Sequence, residues 1–113
     1  MQILRGTTPT ITANVRSNID LSNITHIWVY IYQQGNIVID KEVIGSEVEI
    51  DDTDKTIKVT LSQEDTLSLK ADIGALFQIR LLLSNDTALA TPAVNVIIRE
   101  VYKGGIIGGS TNE

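Results

Sequence analysis

The sequence predicts an all-β fold: an antiparallel two-sheet sandwich of about seven or eight short strands, with one short helical turn near residues 62–67. Three observations carry this expectation. β-Branched residues dominate, with 17 Ile, 9 Val and 12 Thr among 113 residues, and such side chains are stiff at χ1 and suit a pleated, half-buried surface. Apolar and polar residues alternate with a period of two along successive segments. Turn-forming residues punctuate those segments at short intervals.

Taken in order, Gly6-Thr7-Thr8-Pro9 is a turn, because the residue before proline is pushed toward extended geometry. It leads into Thr10–Val15, where Ile11, Ala13 and Val15 alternate with polar neighbours. The following segment, residues 17–23, gathers turn formers, with Ile19 and Leu21 placed to pin the loop to the core. Ile24–Gln34 is the strongest strand, with Ile27, Val29 and Ile31 on one face and Trp28, Tyr30 and Tyr32 on the other. Gly35-Asn36 occupies a hairpin turn, and Ile37–Val43 returns as its partner. Gly45-Ser46 ends that run. Val48 and Ile50, then Ile57, Val59 and Leu61, form a second hairpin around the polar tip 51–55.

At Ser62 the period changes. Ser62 is an N-cap with Asp65 at N3, a variant of the capping box, and the turn it starts links the two sheets. Ala75–Leu83 is the next strand, with Phe77, Ile79, Leu81 and Leu83 opposite Gln78, Arg80 and Leu82. After a turn at 84–87, a last strand near Ala93–Tyr102 sets Val94, Val96 and Ile98 opposite Asn95, Ile97 and Arg99. The chain thus reads as one sandwich domain over residues 1–103 and a flexible, glycine-rich tail over 104–113.

Composition narrows the function classes. Nine Lys and Arg against fourteen Asp and Glu leave a net charge of −5, which disfavours nucleic acid, whose phosphates draw on clustered basic residues. No apolar run approaches the roughly 18 residues of a membrane helix. Without cysteine there is no disulfide framework, thiolate metal site or cysteine nucleophile. Residues 1–6 lack the basic and apolar segments of a secretory signal, so synthesis and folding are expected in a cytoplasm.

No catalytic grouping, cofactor motif or metal-ligand set emerges. His26 is the single histidine and has no partner at triad or dyad spacing. Asp51, Asp52 and Asp54 are rich in oxygen, but counting from either Asp51 or Asp52 puts neither glycine at the sixth position nor glutamate at the twelfth of a calcium loop. Glu64 and Asp65 are neighbours on one turn, whereas glycosidase carboxylates face each other across a cleft. The Gly104–Gly109 stretch lacks the lysine and hydroxyl of a phosphate loop; its Ile106 and Ile107 are candidates for a plug that docks onto a neighbour.

The informative feature is Trp28, Tyr30 and Tyr32. A strand with one face in the core should be polar on the other, and this one is apolar or aromatic on both. Leu82 and Ile97 interrupt the polar faces of their strands in the same way. That second face is covered by another part of the chain, meets another subunit, or stacks on sugar rings.

The residues also resemble a known family. Arg5-Gly6-Thr7-Thr8-Pro9-Thr10, then Asp20-Leu21-Ser22, Ile27-Trp28-Val29-Tyr30-Ile31 and Leu61-Ser62-Gln63-Glu64-Asp65-Thr66-Leu67 are similar, in that order, to small immunoglobulin-like domains of phage and prophage structural proteins. The N-terminal domains of baseplate upper proteins, from tailed phages of Gram-positive hosts, are the nearest comparison. The resemblance spans most of residues 5–99. It implies an immunoglobulin-like sandwich without enzymatic activity, assembled in the host bacterial cytoplasm and carried in the virion as a tail or baseplate part. Its partners would be other baseplate proteins or copies of itself, with a carbohydrate- or cell-surface-binding module as the alternative. The candidate partner interface is Trp28, Tyr30, Tyr32, Leu82, Ile97, Ile106 and Ile107.

Overall fold

The computed structural model describes residues 1–15, 20–101 and 107. Its elements are β1 (Gln2–Leu4), β2 (Thr10–Asn14), β3 (Ile24–Gln33), β4 (Asn36–Glu42), β5 (Val48–Asp51), β6 (Thr56–Thr60), α1 (Gln63–Leu67), β7 (Gly74–Leu83), β8 (Ala88–Ala90) and β9 (Val94–Arg99). Six strands form a large sheet in the order β1-β9-β7-β3-β4, with β8 also paired to β7, and three form a small sheet in the order β2-β6-β5. The fold is all-β with two sheets, as expected; nine strands are formed among the described residues against the seven or eight expected, the addition being β1.

Alternation explains which side of each strand is buried. In β3 the residues Ile27, Val29 and Ile31 face inward, and in β7 Ala75, Phe77, Ile79 and Leu81 do the same. The small sheet contributes Ile11 and Ala13 from β2 and Ile57 and Val59 from β6 to the same apolar cluster. Phe77 is the largest fully buried side chain. Leu21 is buried beneath its loop as anticipated; Ile19 lies outside the described residues.

Two details depart from expectation for local reasons. The sheet is not wholly antiparallel: β1 runs parallel to β9, with Ile3 beside Ile98. Three residues are too few to display a period, and their partner lies at the far end of the sequence, so this strand is invisible locally. Its pairing is extended by the Ile97 N–H to Met1 carbonyl and Arg5 N–H to Arg99 carbonyl bonds, both 2.9 Å. The hairpin turn sits one residue earlier than expected, at Gln34-Gly35. Both residues take positive φ, 50° and 81°, as a type I′ turn requires.

Pro92 separates β8 from β9, because proline has no N–H to give to a ladder. The gap is bridged by Thr91. Its backbone N–H donates to the Ile79 carbonyl at 2.9 Å, and its hydroxyl accepts from the Ile79 N–H at 3.1 Å.

Helix α1 connects the two sheets and begins as the sequence indicates. The Ser62 hydroxyl accepts from the Asp65 N–H at 3.0 Å, and the Asp65 carboxylate accepts from the Ser62 N–H at 3.0 Å. Thr66, fully buried, donates to the Thr7 carbonyl and accepts from the Gly6 N–H, each at 2.9 Å, which ties the N-terminal turn to the helix.

Asp65 has a second task. Lys41 on β4 reaches it at 2.7 Å and Glu47 at 3.2 Å, fastening the edge of the large sheet to α1. Burial alone would push the Asp65 carboxyl up and the Lys41 amine down. Their hydrogen bond and mutual charge, aided by the Ser62 N–H on Asp65 and by Glu47 on Lys41, outweigh it, so Asp65 sits below and Lys41 above its ordinary value. A lowered carboxyl contributes stability that is complete above the unfolded value, about pH 4, and is lost as pH falls through the folded value. A raised amine contributes stability that is complete below about pH 10.4 and is lost as pH rises through its folded value. We expect Lys41→Met to cost about 1–2 kcal/mol near neutrality and to flatten both the acid and alkaline shoulders of a urea-denaturation profile taken against pH.

Candidate functional site: an apolar sheet face

The two sheets differ on the sides that point away from the core. The outer side of the small sheet follows the rule for a wet face: Thr10 and Thr12 of β2, Lys58 and Thr60 of β6, and Glu49 of β5. The Thr10 and Thr60 hydroxyls bond each other at 3.0 Å across the strands.

The outer side of the large sheet does not follow it. Trp28, Tyr30 and Tyr32 stand in a row on β3, and the registers of the neighbouring strands define three levels. Trp28 lies between Arg80 of β7 and Glu42 of β4, Tyr30 between Gln78 and Asp40, and Tyr32 between Leu76 and Ile37. From the third level an apolar stripe continues obliquely through Ile97 on β9 to Leu4 on β1. Leu4, Tyr32, Ile37, Leu76 and Ile97 are each 40–55% exposed, so all five central and edge strands contribute one large exposed apolar side chain. Trp28, Tyr30 and Leu82 are half-buried among their neighbours.

Of the open depressions along this face, two are lined by Tyr30. One, of about 410 Å³, lies over Tyr30, Tyr32, Ile37, Leu76, Gln78 and Arg80. The other, of about 270 Å³, lies beside Trp28, Tyr30, Arg80 and Leu82. At the end of the row the His26 ring stacks on the Trp28 indole, with centroids 5.5 Å apart and planes 22° from parallel. The His26 Nδ1 is 2.6 Å from Glu42 Oε2. The Gln78 amide is anchored by a 2.8 Å bond to the Thr91 carbonyl.

The structure therefore brings Trp28, Tyr30, Tyr32, Leu82 and Ile97 onto one face. Ile107 is elsewhere: exposed, with its N–H and carbonyl both held at 2.8 Å by the side-chain amide of Gln63 on α1. Ile106 lies outside the described residues, as do the other positions of the 104–113 tail. Three members of the face escape sequence reading. Leu76 carries a usable signal, since it continues the alternation of Gln78, Arg80 and Leu82. Ile37 does not, because the register of β4 shifts near Val38, and Leu4 sits on the unforeseen β1.

Of the acidic groups flagged by the sequence, Asp51, Asp52 and Asp65 are engaged in structural contacts. Asp51 accepts from the Thr53 and Asp54 N–H groups, each at 3.0 Å, closing the hairpin tip. Asp52 binds Lys55 at 2.7 Å and the Leu21 N–H at 2.8 Å. The Lys55 hydrogen bond and then the Leu21 N–H hold its carboxyl below the usual range. No helix among the described residues is long and apolar enough to cross a membrane. In comparisons with known proteins, the chain matches no family model and no curated sequence.

Proposed function

We propose that the chain is a non-enzymatic structural module of a phage or prophage particle. In this reading it is an immunoglobulin-like sandwich that anchors or spaces tail or baseplate components, assembled in the bacterial cytoplasm. One observation carries the assembly role: of the two outward faces, the larger is apolar and aromatic while the smaller is threonine-, lysine- and glutamate-bearing. An exposed apolar stripe rimmed by charge is the signature of a protein contact. The order of short motifs from Arg5 to Leu67 supports the virion setting. The engagement of Asp51, Asp52 and Asp65 in turns, caps and ion pairs supports a role without catalysis.

Mass spectrometry of purified particles from an induced host tests this. The expected result is the chain present in a copy number matching a ring of the tail or baseplate; absence from particles whose other tail proteins are all detected would contradict it. The depression beside Tyr30 and Tyr32 favours glycan binding as the second reading, and a glycan-array signal abolished by Trp28→Ala would select it.

A further inference from the structure

The three levels of the apolar face have a symmetry that a generic sticky surface lacks. At the first level Arg80 stands on one flank of β3 and Glu42 on the other; at the second, Gln78 faces Asp40 across Tyr30; at the third, Leu76 and Ile37 flank Tyr32. Each flank thus holds the chemical complement of the other: cation to anion, amide to carboxylate, aliphatic to aliphatic.

A 180° rotation about an axis in the plane of the face and parallel to β3 exchanges the flanks and preserves each level. We propose that the partner of this face is a second copy of the same chain, joined face to face about a two-fold axis along β3. The rotation seats Arg80 over Glu42 of the second copy, Gln78 over its Asp40, and Leu76 over its Ile37. The aromatic rows of the two copies then meet on the axis. Every contact occurs twice, as in any isologous interface.

The individual groups are suited to these places. Arg80 is exposed and has no ion-pair or hydrogen-bond partner for its guanidinium among the described residues. Gln78 uses one amide N–H on Thr91 and keeps the second. Glu42 is fixed through one oxygen by His26, leaving the other for a guanidinium. Aligned sheets pack with strands inclined by about 30° and faces about 10 Å apart, a gap that arginine and aromatic side chains span. With the axis on β3, the β7, β3 and β4 strands of one copy lie over β4, β3 and β7 of the other, and three strands at about 4.8 Å spacing and roughly 25 Å long offer roughly 360 Å² per copy. The resulting total of roughly 700 Å² is that of a weak, reversible contact.

This inference rests on reading the face as a protein interface, and its test separates the two. Sedimentation velocity of the wild-type chain should show a concentration-dependent dimer in the micromolar range. Arg80→Glu sets a carboxylate against Glu42 twice, and Glu42→Arg sets a guanidinium against Arg80 twice; each should raise the dissociation constant by about 100-fold or more. In an equimolar mixture the Arg80→Glu chain carries a carboxylate on both flanks and the Glu42→Arg chain a guanidinium on both. Both ion pairs are thereby restored between unlike chains, and the mixture should return a heterodimer of near wild-type affinity. A wild-type chain that stays monomeric at millimolar concentration overturns the proposal, as does a dimer indifferent to either substitution or a mixture that fails to associate. The wild-type measurement stands without any variant. A monomer that is nonetheless found in particles would remove the dimer and leave the assembly role intact, whereas a dimer absent from particles would do the reverse.

Discussion

Phe77→Ala should destabilise the chain by about 3–5 kcal/mol, the cost of removing a large aromatic side chain from a packed core. Phe77 is the single phenylalanine and the largest fully buried side chain. It sits opposite Ile31 of β3 and Val94 of β9, in the middle of the large sheet. The remaining core is aliphatic and held in strand ladders, so its walls can collapse only partly into the space left behind. Against a total of about 5–15 kcal/mol for a domain of this size, the variant should melt at least ten to twenty degrees lower, by about 4–8 °C per kcal/mol. Phe77→Leu, which keeps most of the volume, should recover more than half of the loss. Urea denaturation of the three proteins checks both statements.

Gln33→Leu should be the second most damaging substitution, at about 2–3 kcal/mol. Gln33 is a buried polar residue at the end of β3, and its volume is close to that of leucine. Its amide donates to the Lys70 and Ile73 carbonyls at 2.9 and 3.2 Å and accepts from the Lys70 N–H at 2.9 Å. One side chain therefore holds the 70–73 segment that leads from α1 into β7. Leucine would fill the space yet leave three backbone groups without their partner. The expected signature is selective: loss of hydrogen-exchange protection at the Lys70 amide, with the protection of Val29 and Ile79 retained under native conditions. Equal loss at all three sites would contradict the assigned role.

Period-two alternation made much of this fold legible. Ile11 and Ala13, Ile27 to Ile31, Ile57 and Val59, and Phe77 to Leu83 each declare a buried side through their polar neighbours, and Ser62 with Asp65 declares a helix start. What stayed hidden depends on distance or on broken periods. β1 is defined by a partner more than ninety residues away, the register of β4 shifts near Val38, and Pro92 divides what Thr91 holds together. The face itself was half legible. Trp28, Tyr30, Tyr32, Leu82 and Ile97 announce themselves by standing where polar residues belong. That Arg80 and Glu42 flank Trp28 at one level is a property of strand register, and no single strand contains it.

The contrast between the faces also bears on solubility. Edge strands and apolar sheets invite indiscriminate pairing unless charges or bulges oppose it. Here β4, at the edge, carries Asp40 and Glu42 outward, an irregular register near Val38 and Lys41 tied to α1. Those features disfavour edge-to-edge growth while leaving the flat face accessible, as the proposed face-to-face pairing requires.

Trp28 is the single tryptophan and stands at one end of the aromatic row on β3, so its fluorescence reports on that surface alone. Acrylamide quenching measured as the protein is concentrated from about one to several hundred micromolar, the range expected of a modest interface, is the most direct measurement. A quenching constant that falls severalfold with concentration, and does not fall for Arg80→Glu, is the result this account predicts. An indole quenched equally at every concentration would show that the face stays in water and would contradict it.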